Sequence, residues 1–401
     1  MFVQVLVINS GSSSIKFELF DVGATRSLFR GEVERIGESG GARNHHEALG
    51  VVLDALDAAP SPVDTRAIVA VGHRVVHGGD RLVAPVLVDD DVLDAIRGLA
   101  LLAPVHTKAN VAGIEAARAR LPDIPHVAVF DTAFHRTMPS YAREYALPRD
   151  LACKHGIRRY GFHGTSHAYV TRRAAALLGR PVEEIDLITL HLGNGASVAA
   201  IRGGRSVDTS MGMTPLEGLV MGTRCGDVDP AVPLLLGELT GRSREDVNRL
   251  LNFESGLKGL TGESDMREVH RLARAGGADA ALAIEMFCYR AKKYIGAYYA
   301  ALGRADAVVF TAGIGENDPE VRLRICDGLE RLGIQIDARL NAMPAEDVPA
   351  PSTPDARPGE RIISPPGADV AVVVIPTDEE LEIAREAYAC ACATTDRSAE
   401  E

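Results

Sequence analysis

Residues 9–16 of this chain, Asn9-Ser10-Gly11-Ser12-Ser13-Ser14-Ile15-Lys16, bring an amide, four hydroxyls, a glycine and an ammonium into eight positions. Each polar group can donate a hydrogen bond to an anion. A turn rich in Gly and Ser also leaves backbone N–H groups able to cradle phosphate oxygens. Turn-forming residues alone would account for the composition, but the pattern recurs. Gly193-Asn194-Gly195 and Gly313-Ile314-Gly315-Glu316-Asn317 follow apolar runs in the same way. Single candidates stand apart from these turns. Arg74 and Asp131 each close an apolar run, and His163 sits between glycines ahead of a helix signal. Arg224 is the sole cation between Asp208 and Asp227. Together they suit the binding of phosphate or nucleotide and the neutralisation of charge on it.

The elements that must position these groups can be read around them. Val3–Ile8 is a near-continuous apolar run, the mark of a strand buried on both faces. Ile15–Leu19 alternates as a half-buried returning strand should, so the first turn is a hairpin tip. Ile185–Ile201 repeats that hairpin, and Asp306–Thr311 repeats its first strand. Such similarity between two half-chains points to an internal duplication. Further strands are expected at 67–76, 126–130 and 370–375. Helices are expected at 45–58, at 90–101, from a Thr107 cap to 120, from a Thr165 or Ser166 cap to 178 and at 278–302. Another runs from Pro319 to Gly333, and the last is opened by Thr377 with Glu380 closing a capping box. Residues 208–227 read as a long loop, and loops of that length in compact domains are usually functional.

Composition narrows the function class. The 401 residues carry 55 acidic and 43 basic side chains, a net charge of −12. That balance argues against nucleic-acid or anionic-membrane binding. Any anionic substrate must therefore find local positive charge from a few chosen residues. Six cysteines show no CxxC spacing, which suits reduced thiols and a cytoplasmic location, and neither a signal peptide nor a membrane span is expected. His73 and His77 share a strand face but lack a third ligand. No Walker P-loop, Rossmann fingerprint, HExxH or hydrolase elbow is present.

The set Asn9–Lys16, Gly72–Gly79, Phe130–His135, Tyr160–His167, His191–Gly195, Met211–Pro230 and Ala312–Asn317 closely resembles the acetokinase family, in order and over essentially the whole chain. The resemblance implies an α/β, two-domain, actin-like (ribonuclease H-like) duplicated fold with an interdomain active-site cleft. It implies domains at 1–148 plus 380–401 and at 149–379. It implies reversible in-line transfer of the ATP γ-phosphoryl group to acetate, giving acetyl phosphate and ADP, with Mg²⁺ (or Mn²⁺) and a homodimer. The alternative is a related kinase preferring propionate or butyrate. Carried over, Asp131, His163, Arg224 and Arg74 take the catalytic positions. Asn9 and Glu379 match the metal site, and Ser12, Ser14 and Lys16 the phosphate-side hairpin. His191, Leu192, Gly193, Asn194, Gly195, Asp265, Met266, Arg267 and Gly313, Ile314, Gly315, Glu316, Asn317 match nucleotide-binding segments. Arg74, Val76, Val105, Phe162 and Pro215 match the acetate site. Val105 stands where leucine is usual, Met266 where an aromatic is expected, and Asp378 where Asn commonly precedes the final Glu pair.

Overall fold

The computed structural model describes residues 3–11, 13–59, 63–101, 104–344, 347 and 357–398. Ser12 and the side chain of Val105 lie outside the described residues. The chain forms two units, Met1–Arg136 with Asp378–Glu401, and Thr137–Thr377. The boundary falls twelve residues before the expected 148/149 because residues 137–148 are tied into the second unit. Thr137 Oγ1 donates to Ser206 O (2.7 Å), Arg159 N–H donates to Arg143 O (2.8 Å), and Glu144 bridges to Arg158.

The first unit is built on six strands: β1 (Gln4–Ser10), β2 (Ile15–Asp21), β3 (Arg26–Val33), β4 (Ile68–Val75), β5 (Val86–Leu87) and β6 (His126–Phe130). Their order is β3-β2-β1-β4-β6-β5, with β1, β4 and β6 mutually parallel and the outer strands antiparallel. The second unit repeats this. Strands β7 (Asp186–Leu192), β8 (Ala196–Arg202), β9 (Arg205–Thr209), β10 (Ala307–Thr311), β11 (Arg361–Ile362) and β12 (Ala371–Val374) run in the order β9-β8-β7-β10-β12-β11 with the same orientations. The duplication expected of an actin-like fold is thus present strand for strand.

The central strands are parallel and covered on both faces, which is why they are mostly apolar. Leu6, Ile8 and Val71 pack with Leu49, Val52, Ala116 and Ala117 of helices His45–Asp57 and Pro104–Arg120. On the opposite face, helix Glu379–Ser398 crosses β4 over Gly72, where a methyl group would crowd Ile383 and Ala387. In the second unit, helix Gly164–Leu177 packs on β7 and β10, and helix Ala278–Leu302 on β7 and β8.

Helix boundaries differ from the sequence reading at several ends: the helix expected at 90–101 stops at Gly98, and the one expected behind Thr165 or Ser166 is entered from His163. The helix expected to start behind Thr107 starts at Pro104, since proline at the first helical position needs no N–H partner. The last helix is capped by Asp378, whose Oδ1 accepts from Leu381 N–H (3.0 Å), not by Thr377. Helix Pro319–Cys326 ends before Gly328 (φ 79°), and only a short 3₁₀ turn at Glu330–Leu332 precedes Gly333.

Candidate active site

In the first unit the site is assembled from the C-terminal ends of β4 and β6. Asp131 follows β6, and its backbone N–H donates to Val75 O (3.0 Å). Its buried carboxylate is gripped by Arg74 through both nitrogens, Nε to Oδ1 at 3.1 Å and Nη2 to Oδ2 at 2.8 Å. This fork-on-carboxylate geometry fixes the plane of the guanidinium. Asp131 above all holds the Arg74 guanidinium above its ordinary pKa, against the opposing effect of burial. Glu379, the first residue of the last helix, lies 3.9 Å from Arg74 Nη2. Burial raises its carboxyl pKa to about 7; Arg74 opposes this, while Asp131 and Glu380 add to it.

The hairpin tip sits beside these groups within the same unit. Asn9 pairs across the ladder with Lys16, Gly11 N–H donates to Ser14 O (2.8 Å), and the exposed Lys16 ammonium lies 3.9 Å from Glu32. Asn110, which drew no attention in the sequence, joins tip to strand. Its Nδ2 donates to Ser10 O (3.1 Å) and its Oδ1 accepts from Val76 N–H (3.3 Å). Only its place on helix Pro104–Arg120 gives it this role, and no local motif signals it. That helix approaches so closely that a methyl group at Gly113 would collide with Ser10.

In the second unit His163 caps helix Gly164–Leu177 with left-handed backbone (φ 56°), a strained conformation for a non-glycine residue. Its Nδ1 meets Ser197 Oγ (2.9 Å), and its ring stacks on His191 at 4.1 Å. Ser197 Oγ also meets His167 Nε2 (2.8 Å), whose Nδ1 meets Thr189 Oγ1 (2.7 Å). His191 Nδ1 meets Ser166 Oγ (2.8 Å). Arg224 lies close by. A methyl group at Gly195 would come 3.3 Å from His163 Nε2 and 3.5 Å from Arg224 Nη1, so this glycine lets the imidazole and the guanidinium flank one backbone position. Arg224 Nη1 donates to Pro215 O (3.0 Å), and burial lowers its pKa.

A cleft of about 930 Å³ opens beside these groups, lined by Gly193 and Asn194, by Asp265, Met266 and Arg267, and by Gly313, Ile314 and Asn317. That volume suits a nucleotide. His191, Leu192, Gly315 and Glu316 do not line it; the first three are buried and Glu316 is half-buried, its Oε1 accepting from Thr377 N–H (3.0 Å). The expected glycine turn is itself a short helix, Ala312–Asn317, entered through left-handed Ala312 (φ 64°). Buried Arg322 holds its end, donating to Gly315 O and Glu316 O (both 2.9 Å). Ser264, His270, Arg274, Asp318, Pro319 and Glu320 complete the lining; the sequence reading gave none of them as a site residue.

No group of three or more His, Cys, Asp or Glu side chains among the described residues is arranged to hold a metal. The donors that fit one are Asn9 and Glu379: two hard oxygens, one of them a desolvated carboxyl whose raised pKa a divalent cation would lower again. Mg²⁺ binds in this manner, through one or two carboxylates together with substrate phosphates.

The acetokinase family model matches residues 4–385. An acetate kinase of Streptomyces avermitilis is 51% identical over 404 residues, covering 96% of this chain and 97% of that protein. One from Arthrobacter sp. is 53% identical over 390 residues, covering 95% and 97%. Among solved structures, Porphyromonas gingivalis acetate kinase superposes with a TM-score of 0.88 at 41% identity, over 96% of this chain and 99% of that one. A propionate kinase from Francisella tularensis gives 0.87 at 40%, with the same coverage. The chain belongs to the acetokinase family.

Proposed function

We propose that this protein catalyses the reversible transfer of the ATP γ-phosphoryl group to acetate, giving acetyl phosphate and ADP by direct in-line attack. The observation that carries the reading is the family match from residue 4 to residue 385. Acetate is already a carboxylate at neutral pH, so no general base is needed. The difficulty is to bring one anion to another and to stabilise charge on the transferring oxygens. Arg74, its plane fixed by Asp131, binds the acetate carboxylate. Asp131 is therefore a positioner and not a proton acceptor. Arg224 and His163, which flank Gly195, stabilise the equatorial oxygens. Gly193, Asn194, Asp265–Arg267, Gly313, Ile314 and Asn317 bind the nucleotide. Asn9 and Glu379 would hold Mg²⁺, which supplies positive charge between the phosphates when bound.

The protein acts as a cytoplasmic homodimer in this reading. Its six cysteines are free thiols, and among the described residues no helix is long and apolar enough to cross a membrane. Helix Ala231–Thr240 buries none of its residues and exposes Leu234, Leu235 and Leu239, an apolar surface suited to a second copy.

Trapping acyl phosphate formed from ATP and acetate, propionate or butyrate tests the assignment. Acetate should give the highest kcat/KM, propionate a modest fraction of it, and butyrate little. The 40% identity to a propionate kinase keeps a second reading in view. It gains if propionate exceeds acetate, and both readings fall if no acid is phosphorylated.

A further inference from the structure

The segment from Thr209 to Glu217 has neither helix nor strand beyond the end of β9, yet it touches Arg224 and the backbone that leads into His163. Arg159 Nη1 donates to three successive carbonyls, Thr209 O (3.0 Å), Ser210 O (3.1 Å) and Met211 O (3.0 Å). Its Nη2 donates to Glu217 Oε1 at 2.5 Å. The second Glu217 oxygen accepts from the Tyr145 hydroxyl at 2.5 Å, and that hydroxyl accepts from Met213 N–H at 3.0 Å. One guanidinium, one carboxylate and one phenol thus close the segment on itself.

Two carbonyls of the closed segment point to the site. Gly212 O accepts from Tyr160 N–H (3.0 Å) and Gly161 N–H (3.2 Å), the two residues that lead into Phe162 and the left-handed His163. Pro215 O accepts from Arg224 Nη1 (3.0 Å). Gly212 has room for no side chain, because a methyl group there would run into the Glu217 carboxylate and the Tyr145 hydroxyl. We propose that Arg159, Glu217 and Tyr145 form a single positioning brace that sets His163 and Arg224 together for phosphoryl transfer. The brace is electrostatically closed. Burial works against the Arg159 charge, but Glu217 raises its pKa above the ordinary value, and burial with the Glu217 bond raises that of Tyr145. Glu217 is thereby committed to Arg159, while the hydrogen bonds of Arg224 go to neutral acceptors, Pro215 O and Met221 Sδ. Its charge is left for an anion.

This inference rests on the phosphotransfer reading, and its test separates the two. Wild-type formation of acetyl phosphate examines the reading; the variants examine the brace. Glu217→Gln and Arg159→Met should lower kcat by about 10- to 100-fold and raise the acetate KM several-fold, as loss of alignment does. ATP affinity should stay within about twofold, because the nucleotide cleft is built from other segments. Arg159→Lys should recover little, since a point charge cannot serve three carbonyls and a carboxylate. Tyr145→Phe, which removes one hydroxyl, should cost less than either and protects the test against a variant that does not fold. The His163 ring resonances, assigned with His163→Asn, should move in Glu217→Gln whatever the reaction proves to be. Unchanged kcat and unmoved His163 signals would overturn the brace. So would losses of kcat, ATP affinity and melting temperature in parallel, which mark a merely structural role.

Discussion

At the ends of β4 and β6 the first sheet carries Arg74 and Asp131; the residues that close the matching strands of the second, β10 and β12, are Thr311 and, one beyond, Ile375. One strand order therefore serves two chemistries. After β4 the chain keeps a charged fork clamped to a carboxylate. After β10 it turns at once into the glycine-rich helix Ala312–Asn317 and leaves an open cleft. The two arginines differ in the same sense. Arg74 is held by Asp131, which raises its pKa; Arg224 has only neutral hydrogen-bond acceptors, and burial lowers its pKa. A duplicated scaffold thus presents one cation whose geometry is fixed and another whose charge is uncompensated. The first suits holding a substrate carboxylate, the second meeting charge that develops in the transition state.

The strongest way to break this contrast is at Arg224. Arg224→Ala should lower kcat by at least about 100-fold, near 3 kcal/mol of transition-state stabilisation, with ATP affinity little changed. Arg224→Lys should regain only a small part. Near-normal turnover of Arg224→Ala would remove it from the chemistry.

Asp131 tests the other half. If it positions Arg74, Asp131→Asn should keep measurable activity, with the acetate kcat/KM lowered by roughly tenfold, about 1.4 kcal/mol. Raised Mg²⁺ should restore part of the loss. A complete loss that ignores Mg²⁺, with one limb of the pH–rate profile gone, would instead mark a true acid–base group.

The first sheet also buries a pair of imidazoles, His73 on β4 and His126 on β6. His73 Nε2 meets His126 Nδ1 at 2.9 Å. Burial lowers both pKa values, and for His73 the neighbouring ring adds to it. A histidine with a lowered folded-state pKa leaves the unfolded chain binding more protons in acid. Its contribution to stability is therefore complete above its unfolded pKa and is lost as pH falls below it. Urea unfolding should show stability dropping below about pH 6.5, by up to roughly 1.4 kcal/mol per pH unit for each histidine. His73→Gln should flatten that slope by about one proton. An unchanged slope would mean the pair is not what acid titrates.

What the sequence made legible was local. The hairpin tip at Asn9–Lys16, its echo at Gly193–Gly195 and the buried strands follow from short apolar runs bounded by Gly and Ser. The edge strands β5 and β11 are two residues each, too short to show a period. Asn110, Arg322 and the trio of Arg159, Glu217 and Tyr145 could not be found this way. Each acts across 6–100 residues on a backbone carbonyl, N–H or side chain that only folding brings near. The helix starting at Pro104 shows the same limit, since the sequence reading started it only behind Thr107.

The smallest expected effect compares the two carboxylate–guanidinium pairs. Arg267 grips Asp265 as Arg74 grips Asp131, Nε to Oδ1 at 3.0 Å and Nη2 to Oδ2 at 2.5 Å. The side chains of Arg267 and Asp265 are 90% and 41% exposed, against 23% and 2% for Arg74 and Asp131. The Arg267 hydrogen bonds lower the Asp265 pKa to about 2, so whatever stability the pair adds is present above the ordinary carboxylate range and lost in stronger acid. Solvent screens such a pair, and its loss should not be measurable in thermal unfolding at neutral pH. Asp265 has a second task that Arg267 lacks: its Oδ1 accepts from the N–H of residue 267 and caps helix Met266–Arg274. Asp265→Ala should therefore destabilise by about 1 kcal/mol, the usual worth of an N-cap. Arg267→Ala should leave stability and kcat alone and raise the ATP KM by less than about fivefold, as a cleft-lining cation in water would. If Arg267→Ala instead lowers kcat as much as Arg74→Ala does, exposure is not what separates the two pairs.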